Sequence, residues 1–160
     1  MTLLKGLFGL LLTISVAAQA AVAPDRTRVI FNAANKAASL KLSNASKELP
    51  YLAYSWIEDE KGNKSDAMLV ALPPMQRLEP GGITQVRIVK QPSAAALPAD
   101  RESLFYYNIR EIPPSPDTAN THAVVQVAMQ SRIKLFWRPA ALKKAPCLLY
   151  TSDAADDMQC

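Results

Sequence analysis

The sequence predicts an all-β chain: an immunoglobulin-like sandwich of about seven strands, preceded by a secretory signal peptide. Three observations predict the sandwich. Short β-branched and aromatic runs with period-2 alternation recur along the chain. Turn signals separate them at roughly 8–12 residue intervals. No stretch repeats apolar residues at helical spacing over a useful length.

Length and composition set the bounds. With 160 residues, 49% of them hydrophobic, there is room for one domain with a core and not for two. The net charge of +4 is spread along the chain in basic runs no longer than two residues, which argues against a nucleic-acid interface. At the amino terminus, Lys5 supplies a positive region, Leu7 to Val16 is mostly apolar, and Ala18-Gln19-Ala20 places small residues for cleavage. Residues 1–20 are therefore expected to be a signal peptide, too short in its apolar core to span a bilayer. The mature chain then begins at Ala21 and works outside the cytoplasm.

The elements follow in order. Thr27 to Asn32 is a β-branched and aromatic run, hence a strand. Ala38 to Ser43 sets Ala38, Leu40 and Leu42 against Ser39, Lys41 and Ser43. Pro50 to Glu58 carries Leu52, Tyr54 and Trp56 on one face, with Trp56 expected as the core tryptophan. Asp59 to Asn63 is a hairpin-type connection. Ala67 to Leu72, stopped by Pro73-Pro74, reads as an edge strand. Glu79-Pro80-Gly81-Gly82 has the proline and glycines of a tight turn. Ile83 to Val89 alternates again, Pro92 to Arg101 reads as a loop or single helical turn, and Leu104 to Ile112 is a further strand. After a Pro/Ser/Asp/Asn loop from Pro113 to Thr121 comes the longest alternating stretch, Ala123 to Trp137. Val125, Val127, Met129 and Ile133 lie on its apolar face, and Gln126, Ala128, Gln130 and Lys134 on the other. Strands usually run to about 5–6 residues, so this one has length to pack at home or to be offered to another chain.

Arg138-Pro139 stops that strand, and residues 141–146 read as the start of a linker. From about Cys147 the composition breaks sharply, and residues 147–160 are expected to be a foreign or disordered tail. Cys147 and Cys160 both fall in it, so a bridge between them would tie the tail only to itself.

The residues point to no catalytic site. The one histidine, His122, stands at a loop-to-strand junction without a partner set for metal or nucleophile chemistry. There is no phosphate-cradling glycine loop and no nucleophile elbow. The acidic pairs sit in turns or in the tail. A non-enzymatic binding module, with no cofactor and no metal, is expected.

Five blocks carry a resemblance. They are Asp25-Arg26-Thr27-Arg28; Leu49-Pro50-Tyr51-Leu52-Ala53; Pro73-Pro74-Met75-Gln76-Arg77-Leu78-Glu79-Pro80-Gly81; the run from Asp100 to Pro114, with Asn108-Ile109-Arg110-Glu111-Ile112-Pro113-Pro114 its most specific part; and Ile133-Lys134-Leu135-Phe136-Trp137-Arg138-Pro139. In this order they resemble the amino-terminal domain of the periplasmic pilus (fimbrial) assembly chaperones, closest to the P-pilus type. The match spans residues 21–140 and leaves the family's carboxy-terminal domain unmatched.

The resemblance implies a mechanism. Pilus subunits of this system are immunoglobulin-like domains lacking their last strand. The chaperone lays its own strand into the open groove, which is donor-strand complementation, and passes the subunit to the outer-membrane usher. Val125, Val127 and Met129 would fill successive pockets, each burial worth about 1.5–3 kcal/mol before ordering costs. Arg28 and Lys134 would anchor the subunit's terminal carboxylate and so fix the register. Arg87 and Glu102 would form a structural charge pair near the domain junction, and Arg26 would be structural or at the surface. The expected partners are pilus subunits and the usher, in the periplasm. The alternatives are a structural or adhesive sandwich domain that keeps this strand for its own core, and an inactive truncated fragment.

Overall fold

Alternation becomes architecture in nine strands across residues 20–115 and 125–142, the part of the chain that the computed structural model describes. They are β1 (Val22–Pro24), β2 (Arg28–Asn32), β3 (Ala37–Asn44), β4 (Tyr51–Glu58), β5 (Leu69–Leu72), β6 (Met75–Leu78), β7 (Ile83–Lys90), β8 (Ser103–Ile112) and β9 (Gln130–Arg138). Short 3-10 turns lie at Pro92–Ala96 and Ala140–Leu142. One sheet has the order β1-β3-β7-β5 and the other β2-β9-β8-β4-β6. Every pairing is antiparallel except β2 with β9.

The interior is built by every second residue of facing strands. Leu40, Leu42, Leu69, Val86 and Ile88 come from one sheet; Val29, Phe31, Ile57, Tyr107, Ile109 and Leu135 come from the other. All are buried, as period-2 side chains must be when two sheets close over one face each. Phe31 stacks on Trp137 with ring centroids 5.2 Å apart. Trp137 is thus the tryptophan of the core. Trp56 is buried on the opposite face of β4, stacked on Tyr54 at 5.1 Å and covered by the Arg110 guanidinium, 5.6 Å from its ring. The expectation of a core Trp56 is corrected: Ala53, Ser55 and Ile57 take the inner face, so Trp56 must face out.

Buried polar groups sit where the sheets need stitching. The Glu111 carboxylate, at the inner end of β8, accepts the Val22 N–H of the other sheet at 2.8 Å. Asn44 donates to the carbonyls of Leu49 and Glu79 at 3.0 and 3.2 Å and accepts from Ser46 N–H at 3.0 Å, holding two loops to one strand end. Gly81, at φ 65°, turns β6 back towards β7, a conformation open to glycine and costly for a side chain.

The strand bounds expected from sequence hold to within two residues except at three places. β1 and β6 lack any alternating run of their own and exist as short edge strands, so the count is nine and not seven. β9 begins at Gln130 and not at Ala123. Residues 1–19, including nearly all of the expected signal peptide, lie outside the described residues, as do His122, Ala123, residues 143–146 of the expected linker and the tail from Cys147.

Tyr107 yields a test of this packing. Its hydroxyl shares a 2.8 Å hydrogen bond with Ser55 Oγ, and burial pushes the phenol up to about 12. An unfolded tyrosine ionises near pH 10. Between about pH 10 and 12 the unfolded chain therefore loses this proton first, so the group's stabilisation is full below pH 10 and falls as pH rises. Urea unfolding should show a loss on the order of 2–3 kcal/mol over that interval. Tyr107→Phe should flatten that part of the pH dependence when the two proteins are compared.

Candidate functional site: the free edge of the last strand

β9 is the strand on which the site is built, and its two edges are treated differently. On one side it pairs with β8 along its length, from Ser103↔Trp137 to Arg110↔Gln130. On the other side β2 joins it only from Lys134 onward: Arg28↔Lys134, Val29↔Leu135, Ile30↔Phe136, Phe31↔Trp137 and Asn32↔Arg138. Among the described residues no strand pairs with that side of β9 before Lys134. An open edge of backbone N–H and C=O groups is left there.

The ladder to β8 stops at Gln130 for a reason visible in the chain. After Ile112 come Pro113 and Pro114, which have no N–H to give. Gln130 itself is clamped: its amide donates to Asn108 Oδ1 at 3.1 Å and accepts from Arg110 Nη2 at 2.9 Å. One further bond, Glu111 N–H to the Met129 carbonyl at 3.0 Å, ties down the next residue. Val125–Met129 then run without strand pairing. Val125 is 88% exposed, Val127 71% and Met129 40%. Three apolar side chains at alternate positions thus stand in water, on the parity that carries Ile133, Leu135 and Trp137 into the domain's own core. The expected strand from Ala123 to Trp137 is divided: its second half is a strand, and the described part of its first half has no partner.

Arg28 and Lys134 are brought side by side by the parallel register. Val29 and Leu135 point inward, so both cations point outward, and both are exposed. Neither forms an ion pair among the described residues. With strands about 4.8 Å apart, two unneutralised cations at one level repel one another and suit a single shared carboxylate.

The neighbouring cations are already engaged. Arg132 binds the Glu58 carboxylate at 3.0 Å and lies over the Tyr106 ring, 3.6 Å from its centroid. Glu58 also accepts from the Trp56 indole at 2.9 Å. Arg26 holds Asp25 in a two-bond fork at 2.7 and 2.9 Å. That fork keeps the Asp25 carboxyl below its usual range and the guanidinium above its own, with the Lys41 N–H assisting at Asp25.

The expected pair between Arg87 and Glu102 does not form. Arg87 lies on β7 between buried Val86 and Ile88, so it points to solvent on the four-stranded sheet. Glu102 precedes β8 in the other sheet and accepts from Arg138 Nε at 2.5 Å. Sequence reasoning misses Arg138 because it follows the last apolar residue and reads as a strand stop. Among the described residues no group of acidic, histidine or cysteine side chains could hold a metal ion, and no helix is long and apolar enough to cross a membrane.

This framework defines a class: an immunoglobulin-like sandwich with one strand edge and its apolar row left open. Residues 21–143 match the family of pili and flagellar-assembly chaperones, PapD N-terminal domain, and the chain belongs to that family. It is 67% identical over 144 residues to the uncharacterised fimbrial chaperone YbgP of Escherichia coli K12, covering 90% of this chain and 60% of that one. It is 52% identical to the chaperone protein PapD of Escherichia coli, covering 81% and 53%. Among solved structures it resembles the periplasmic chaperone SfaE (TM-score 0.65, 34% identity, 78% of this chain and 60% of that one). It also resembles the Salmonella enterica SafA pilin in complex with the SafB chaperone (TM-score 0.69, 31% identity, 80% and 59%). The chain thus spans between half and two thirds of the length of these relatives.

The Glu102–Arg138 pair is about one-third exposed on both sides, at 34% and 35%. Partly exposed pairs contribute roughly 0–1 kcal/mol. Glu102→Ala should therefore shift the urea midpoint of this chain only slightly, and Arg87→Ala should shift it less still.

Proposed function

We propose that this protein is a periplasmic, non-enzymatic chaperone of pilus subunits, which holds each subunit by donor-strand complementation and delivers it to the outer-membrane usher. The observation that carries the reading is the divided lane beside β9. β2 runs parallel to β9 and begins at Arg28. A strand docking on the free edge in the same direction would occupy the lane that β2 leaves vacant. Its carboxy terminus would meet the first residue of β2, and its terminal carboxylate would fall between Arg28 and Lys134. Its own ladder would be completed by β9, and its groove would receive Val125, Val127 and Met129. Burying three such side chains contributes on the order of 5–9 kcal/mol before ordering costs. The family and the pilin complex of the structural relative support the same reading.

In this role Arg28 and Lys134 fix position and the apolar row supplies affinity. Period-2 alternation makes a one-residue slip turn Gln126, Ala128 and Gln130 into the groove. The same exposed row accounts for a need to be capped, since an open apolar edge invites pairing with other chains.

Co-expression of the full-length chain with the pilus subunits of its gene cluster tests this. Wild type should co-purify with a subunit one to one. Lys134→Ala and Arg28→Ala should each lower that recovery at least about tenfold, the loss of a charge-assisted bond of roughly 1.5–3 kcal/mol. Recovery unchanged by Lys134→Ala would refute the anchoring role. Val127→Asp should also abolish the complex while the melting temperature of the free chain stays put, because Val127 touches no core. Amide exchange at Val125–Met129 should be fast in the free chain and slow in the complex; fast exchange in both would sink strand donation.

A further inference from the structure

Two residues before Arg28 and Lys134 the chain presents a second pair of cations, Arg26 just ahead of β2 and Arg132 on β9. The two side chains line one surface hollow, together with Asp25 and Ile133. The first pair has no ion-pair partner among the described residues. The second is closed: Asp25 forks onto Arg26, and Glu58 binds Arg132.

Resting on the proposed function, this difference answers a problem of register. A one-residue slip of the incoming strand is rejected by the alternation of β9's faces. A slip forward is blocked by β2, which fills the lane from Arg28 on. A slip backward by two residues is rejected by neither, because it keeps every side chain on its face and every ladder bond in phase. It would also carry the terminal carboxylate from Lys134 to the level of Arg132. The apolar row is permissive there too, since Val125 and Val127 would only move along by one pocket each. Charge alone would leave two equivalent anchors.

We infer that Asp25 and Glu58 are register-determining residues, which occupy Arg26 and Arg132 so that a subunit carboxylate is accepted only between Arg28 and Lys134. A carboxylate arriving at the earlier level meets two cations already bonded to carboxylates. It must displace one of them or lie against like charge. Tyr106 reinforces the arrangement from below: its ring carries the Arg132 guanidinium at 3.6 Å and holds it towards Glu58. Glu58 is itself oriented by the Trp56 indole. The outer-face tryptophan thereby has a use that a core tryptophan would not.

The test uses the full-length chain co-expressed with the subunit that wild type retains. On a Lys134→Ala background, recovery of the complex is low. Adding Asp25→Asn and Glu58→Gln should restore it several-fold by freeing the earlier anchor, and adding Arg132→Ala to that protein should remove the gain. Both amides keep an oxygen that can accept the Lys41 N–H and the Trp56 indole, so the fold has its acceptors. No gain, in a protein that melts as wild type does, overturns the inference. Normal recovery of Lys134→Ala by itself overturns the anchor beneath it as well, which separates the two failures. Should the combined variant not fold, wild type offers a second measurement. A subunit shortened by two carboxy-terminal residues keeps its groove register and presents its carboxylate at Arg132. Its exclusion in competition with the intact subunit supports the inference, and equal recovery of the two overturns it.

Discussion

Everything at this site depends on one inequality of pairing. β9 is hydrogen-bonded to β8 along its length and to β2 only from Lys134 onward. Backbone groups of a strand are strong donors and acceptors that seek partners in any folded state, so the unequal edges leave a site with a fixed lane and a fixed end. Two prolines after β8 stop the ladder on one side, and the start of β2 stops it on the other. The exposed side chains and the paired cations become meaningful only through that geometry.

In the proposed role the same strand serves two interiors. Ile133, Leu135 and Trp137 pack into the sandwich, and the alternation continues past Gln130 into Met129, Val127 and Val125, which are increasingly exposed and join no core cluster. A domain that buried this row would gain stability and lose the use proposed for it. What keeps the rest intact is ordinary sandwich packing, the Phe31–Trp137 stack and the stitching by Glu111 and Asn44. Of these residues only Glu111 reaches the open segment, through its backbone N–H at the Met129 carbonyl, so substitutions at Val125 and Val127 can alter strand donation without altering fold stability.

Much of the fold is legible in the order of residues. Period-2 runs locate seven of the nine strands, and Gly81 and the proline pairs mark their turns, because alternation and turn chemistry are local properties. β1 and β6 are not legible, since three- or four-residue strands exist by pairing to an edge and carry no periodicity of their own. Trp56 misleads because its size suggests an interior position; the register of β4 turns it outward. Arg87 misleads because a charge pair needs two residues on the same surface, and sheet membership places it on the other one. The resemblance to the pilus chaperones points at Arg28 and Lys134, but a long separation along the chain says nothing of their distance in space.

The sequence by itself determined the class of fold, the apolar row at Val125, Val127 and Met129, and the presence of four cations, Arg26, Arg28, Arg132 and Lys134, in two stretches far apart along the chain. Those follow from side-chain chemistry and parity, which the order of residues states directly. Only the tertiary structure decided which cations are spent and which are free. Long-range register sets Arg28 beside Lys134, brings Glu58 across to Arg132, and ends the open lane where β2 begins, at the point an incoming chain would have to stop. Charge is written in the sequence, but its neutralisation is a matter of neighbours, and neighbours are supplied by the fold.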